Sequence, residues 1–217
     1  MKRILNALFF LMFVCPSFGE VKYSYSFELF GGSQFNIPLA LTIRQEGQED
    51  IKVNRPEYKS EAFKEAPYYA YRFGLWKEYK AWELELVHQK IILKNKPENV
   101  QHFEISHGYN LITINRAFLY PHFILRVGGG IVLTHPESTI RNKENGYDAE
   151  FPNGFYISGP TVQIAIARRI KISPRLFGCL ETKFTSSYAI DVPVVDGSAD
   201  VPHMAVHLLF GIGYHSK

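Results

Sequence analysis

The chain has 217 residues, enough for one sizeable domain. Of its 24 basic and 21 acidic residues, two basic ones, Lys2 and Arg3, fall in an N-terminal leader that holds no acidic residue, so the remainder carries about +1. That balance excludes a bulk nucleic-acid binder, and the lack of any run of about 20 apolar residues after position 20 excludes a transmembrane helix.

The N-terminus reads as a secretory signal. Lys2 and Arg3 form a basic start, Leu5 to Val14 an apolar core too short to span as a helix, and Ser17-Phe18-Gly19 a cleavage site with small residues at −3 and −1. The expected division is therefore a signal peptide over 1–19 and one barrel domain over 20–217. Val14 precedes Cys15 where a lipoprotein anchor wants a small residue. Loss of Cys15 with the leader leaves Cys179 as the only thiol, so an internal disulfide is excluded.

From residue 20 onward, segments of about ten residues with period-two alternation recur. In chain order they are 23–32, 68–77, 82–93, 102–119, 122–135, 160–172, 176–190 and 204–215. Short links are expected near Glu78, at Tyr120-Pro121 and at Ser173-Pro174-Arg175. The other connections, 33–67, 94–101, 136–159 and 191–203, are longer and more polar. Short turns on one side and long loops on the other predict an all-β, eight-stranded antiparallel transmembrane barrel of the outer-membrane type, located in the bacterial outer membrane.

The two faces of each segment decide between this barrel and a soluble one. Val206, Leu208, Phe210, Ile212 and Tyr214 share one face of the last strand, opposite Ala205, His207, Leu209, Gly211 and Gly213. Arg72, Glu83, Glu85, Arg126, Glu181 and Lys183 all lie opposite the bulky apolar face, so the charges are expected inside and the apolar face against lipid. With Glu28 and Arg169 the inward charges balance, which predicts a salt-bridge network that fills a narrow barrel rather than a pore. The Tyr and Phe residues at the ends of apolar runs suit an interfacial girdle.

HFEISHGYNLITIN (102–115) is ordinary strand pattern in its second half and crowded with chemical groups in its first. Counting back from a turn near Pro97-Glu98 puts His88 opposite His107. Counting from Tyr120-Pro121 puts Ser106 opposite His135. His88 and His135 follow outward parity and His107 inward parity, unless a bulge at Gly108 turns it out. His88, His102, Glu104, His107 and His135 are the candidate catalytic groups, suited to proton transfer. His88, His135 and Glu137 are candidate ligands for a divalent metal ion such as Zn, Fe or Mn. Lys90, Lys94 and Lys96 suit lipid phosphates. Ser106 beside His107 is the only hint of a hydrolase dyad.

The stretches PYYAYRFGLW (67–76), LELVHQKI (84–91), HFEISHGYNLITIN (102–115), GGIVLTHPE (129–137) and ETKFTSSY (181–188) resemble the outer-membrane barrel family of lipid A oxidases. His-x-Lys at 88–90 followed by His-Phe-Glu at 102–104 is the most specific part of the likeness. The resemblance implies an oxygen-dependent oxidation of the proximal glucosamine of lipid A, with lipopolysaccharide as partner and Lys90, Asn110 and Arg72 as substrate-binding residues. The chain has His at 107 where the family carries an acidic residue, and His207 where it carries an amide. The alternatives are a non-enzymatic small barrel, and a lipid A deacylase or acyltransferase using Ser106. A monomer is expected.

Overall fold

The computed structural model describes residues 23–64, 67–146 and 153–216, so the expected leader lies outside the described residues. Its strands are β1 (Tyr23–Ile37), β2 (Leu41–Gln45), β3 (Ile51–Val53), β4 (Tyr58–Lys59), β5 (Tyr69–Lys77), β6 (Lys80–Leu93), β7 (Val100–Leu119), β8 (Ile124–Thr134), β9 (Glu137–Ile140), β10 (Lys143–Asn145), β11 (Tyr156–Lys171), β12 (Leu176–Val194) and β13 (Gly197–His215). Eight of them, β1, β5, β6, β7, β8, β11, β12 and β13, pair antiparallel in that order, and β13 closes on β1 from Ser26↔His215 to Ile37↔Met204. The ring is the expected barrel. Closure leaves no edge and pairs the backbone internally, which lipid demands.

Alternation sorts the side chains by face. Each strand presents a large apolar residue to the outside: Phe27, Phe73, Leu84, Ile114, Val127, Ile164, Leu180 and Phe210 are each about half exposed. In water such a belt would be a large exposed apolar patch. Around a closed ring it is a lipid-facing surface. Tyr79, Trp82 and Tyr120 mark its short-turn end, and Phe35, Tyr156 and Tyr188 its other end. Apolar outside, charged inside and short turns at one end make the chain an outer-membrane β-barrel.

The inward charges meet in one layer. Arg72 donates to Glu28 at 2.6 Å, Glu85 at 2.8 Å and Glu181 at 2.6 Å, and Arg126 pairs with Glu83 at 2.7 Å and Glu181 at 3.0 Å. Lys183 pairs with Glu85, and Arg169 with Glu28. Gln163 and Asn115 donate to Glu85 at 2.6 Å and 2.9 Å. Desolvation of these ions is offset only by such dense mutual pairing. The layer plugs the lumen.

Above the membrane the strands differ from the expected loops. Residues 191–203 form no long loop: β12 and β13 run on to a tight turn at Val195-Asp196, where Asp196 takes φ 52°. The alternation of Val192, Val194, Ala199 and Val201 continues the strand pattern, and all four are buried. They are covered because β2 pairs with β13, from Gly197↔Gln45 to Asp200↔Thr42, and β3 pairs with β2. β9 extends β7 beyond the end of β8, and β4 extends the sheet beside β6. Leu41, Ile43, Leu93, Val100 and Ile140 are buried with Val192, Val194, Ala199 and Val201 in one continuous apolar cluster, whose upper, aliphatic part caps the barrel mouth.

Candidate functional site

A wide bulge shapes the outer wall of β6 to β8. Gln89 pairs with Tyr109 and Ile91 with Ile105, so Lys90 alone stands opposite Ser106, His107 and Gly108. Gly108 takes φ 139°, a conformation open to glycine, and a Cβ there would lie 2.1 Å from Asn110 Nδ2. The two extra residues keep Ile105 and Tyr109 both inward but throw His107 out of the wall, so its side chain is 63% exposed despite its inward parity. The bulge anticipated at Gly108 is present, and it does turn His107 outward.

The bulge also corrects the register. His88 lies opposite Asn110, not His107. The count from Pro97-Glu98 comes close above the bulge and slips below it. His135 lies beside Gly108, whose carbonyl accepts the His135 N–H at 3.1 Å, and not opposite Ser106. The cause is the β7–β8 turn: Tyr120 N–H bonds Phe123 O at 2.8 Å, so the loop is centred one residue later than Tyr120-Pro121.

Three tiers of polar groups then climb the outside of the barrel. Lowest are Tyr69, His88 and Asn110, paired across β5, β6 and β7. His88 Nδ1 lies 2.9 Å from Asn110 Oδ1, and the imidazole stacks on Tyr69 with centroids 4.7 Å apart and planes 8° apart. The amide oxygen accepts, so Nδ1 carries the proton in neutral His88. Next come Lys90, His107 and His135. The rings of His107 and His135 are 5.2 Å apart, and Phe155 packs edge-on against His135 at 4.6 Å. Burial, and then the neighbouring His107, push the His135 pKa below its ordinary value. Highest are Glu104 and Glu137, opposite each other on β7 and β9. Glu137 pairs with His107, and Glu104 with His102 at 3.1 Å.

The structure therefore brings His88 and Asn110 together, His107 with Glu137 and His135, and His102 with Glu104. Other expectations change. Arg72 is fully buried in the luminal ion layer and does not bind substrate from the membrane. Among the described residues no three His, Cys, Asp or Glu side chains are grouped so as to hold a metal ion, so His88, His135 and Glu137 form no ligand set. A hydrolase triad is also disfavoured. Ser106 Oγ, at 3.5 Å, and Glu137 both approach Nδ1 of His107, whereas a triad needs them on opposite ring nitrogens. The contribution missed from sequence is the stack of Tyr69 on His88. Its signal was available, since strands 68–77 and 82–93 joined near Glu78 place position 69 across from position 88.

The groove of about 550 Å³ lined by Ile166, Leu180, Leu208 and Phe210 lies in the lipid-facing belt on the far strands, apart from these tiers, and suits acyl chains.

No protein-family profile and no curated protein matches the chain. Among solved structures it is similar to Neisserial surface protein A (6% identity, 88% of this chain and 96% of that one, TM-score 0.41). It is also similar to Ail of Yersinia pestis in complex with a heparin analogue (7% identity, 89% and 99%, TM-score 0.43). A third likeness is to outer membrane protein AlkL in DMPC bilayers (11% identity, 94% and 95%, TM-score 0.48). None of these likenesses bears on what this chain does.

Proposed function

We propose that this outer-membrane barrel binds lipid A of the outer leaflet on its outer wall and modifies the proximal glucosamine. The observation that carries the reading is the His88–Asn110 pair, a polar couple buried on the lipid-facing side of the wall just above the apolar belt. The pair satisfies itself by its own hydrogen bond, so the wall can hold it at this level, beside the half-buried Lys90 and the exposed His107, which a headgroup can reach. Lys90, two residues above His88 on the same wall, suits a phosphate. His107 with Glu137, and His102 with Glu104, are pairs able to take up and pass on a proton. The resemblance at 84–91 and 102–115 supports oxidation by molecular oxygen as the reaction. Because the donors do not form a metal site among the described residues, no step is assigned to a metal. One chain closes the ring by itself, which supports a monomer.

A non-enzymatic barrel is the second reading, favoured by the densely paired ion layer and the aliphatic cap. Mass spectrometry of lipid A from aerated cells with and without the protein separates the two. Oxidation predicts a protein-dependent gain of about 16 Da, lost in His88→Ala. An acyl-chain mass difference points to a deacylase or transferase, and an unchanged lipid A to the non-enzymatic barrel.

A further inference from the structure

Between the ion layer and the aliphatic cap, buried polar side chains gather around Tyr109. The His203 ring sits 5.2 Å from the Tyr109 ring and 6.2 Å from that of Tyr58. Gln89 faces Tyr109 across the β6–β7 ladder. Gln34 reaches the carbonyl beside Gln89, its Nε2 donating to Lys90 O at 2.9 Å. Neighbouring groups are paired: Tyr109 Oη bonds Ser187 Oγ at 2.8 Å, and His207 is held between Tyr68 Oη at 3.0 Å and Thr185 Oγ1 at 2.9 Å.

Five buried polar atoms of this group have no hydrogen-bond partner among the described residues: Gln34 Oε1, Tyr58 Oη, Gln89 Oε1, Gln89 Nε2 and His203 Nδ1. Gln89 and His203 are fully buried. Their roles can be assigned. Asn36 Nδ2 donates to Tyr58 O at 3.2 Å, so Asn36 Oδ1, 2.9 Å from His203 Nε2, accepts from it. Neutral His203 then presents an acceptor at Nδ1. Gln34 presents an acceptor, Gln89 one acceptor and one amide donor, and Tyr58 a hydroxyl that does either. A bare cation does not match this set, because it includes a donor and no carboxylate. An apolar ligand would leave all five atoms unpaired.

We infer that the upper lumen is a built site for a cluster of ordered water molecules, bound between Gln34, Tyr58, Gln89 and His203. Water donates and accepts at every one of these positions, and buried waters typically bridge groups of this kind. The site is separate from the outer wall and does not rest on the reading of lipid A.

A crystal structure at a resolution that shows ordered solvent tests it. Expected is connected solvent density within hydrogen-bonding distance of Gln89 Oε1 and Nε2, His203 Nδ1 and Tyr58 Oη. Those atoms bonded to one another, or acyl or detergent density among them, overturns it. Gln89→Leu gives a second measurement, in the refolded barrel titrated with urea. If water binds there, the apolar side chain strands it and the unfolding midpoint falls, with Gln89→Glu, which still hydrogen-bonds water, retaining density at the site. A Gln89→Leu midpoint that rises, because two orphaned groups have been removed at no loss, overturns the inference.

Discussion

His88 owes its orientation to two neighbours, Asn110 at Nδ1 and Tyr69 on its face. Asn110→Leu is expected to leave the barrel folded, as judged by its heat-modifiable gel mobility, and, on the proposed reading, to cut lipid A modification about 100-fold by misplacing the imidazole. Gly108 acts one step further back. Gly108→Ala forces a side chain into φ 139° and against the Asn110 amide, costing about 1–3 kcal/mol in the urea-unfolding free energy. His135 sets a pH dependence. Its folded-state pKa is depressed, so its neutral form is favoured and its contribution to stability is present above the unfolded value, about 6.5. That contribution is lost as the pH falls through the unfolded value toward the lower folded one. Denaturant midpoints measured across that range should drop on acidification, and the drop should shrink in His135→Gln. These residues were legible as chemical groups in the sequence, because His, Glu and Lys crowd one half of a strand. Their partners on β7 and β8 were not, because a two-residue bulge and a turn centred one residue later shift the β6–β7 and β7–β8 pairings, and neither leaves a countable mark other than Gly108.

At the scale of the element, alternation gave away the faces of all eight barrel strands, since a side chain must be either in lipid or in the lumen. The charged positions of β5, β6, β8 and β12 followed at once. The upper parts of β12 and β13 were harder to read, because Asp191, Pro193 and Asp196 look like loop residues until the buried Val192 and Val194 between them, and Ala199 and Val201 after them, are counted. The luminal ion layer makes its own prediction. Glu181 accepts from both Arg72, at 2.6 Å, and Arg126, at 3.0 Å. Glu181→Gln leaves two buried guanidinium groups short of a counter-charge and is expected to destabilise the refolded barrel by about 3–5 kcal/mol in urea titrations. Equal stability of wild type and variant would mean that the layer is hydrated and weakly coupled.

The whole molecule meets two different solvents. The membrane part is inverted, polar inside and apolar outside, whereas the cap of β2, β3, β9 and the extended β12–β13 hairpin buries aliphatic side chains as a soluble domain does. The inversion is tested by Ile164→Arg, which puts a charge on the lipid face in the middle of β11. It should cost about 2–4 kcal/mol in lipid, read as a lower refolding yield and unfolding midpoint in vesicles. On the proposed reading the same geometry divides the labour, with chemistry on the outer wall and structure in the lumen. The most direct measurement compares lipid A, by mass spectrometry, from cells producing His107→Ala or Gln163→Ala, each confirmed as a folded barrel. His107 stands on the outer wall, and Gln163 bridges the luminal layer to Glu85 at 2.6 Å. Lipid A modification lost in His107→Ala and kept in Gln163→Ala is the predicted result. Modification kept in the first and lost in the second would put the chemistry inside the barrel and contradict the account.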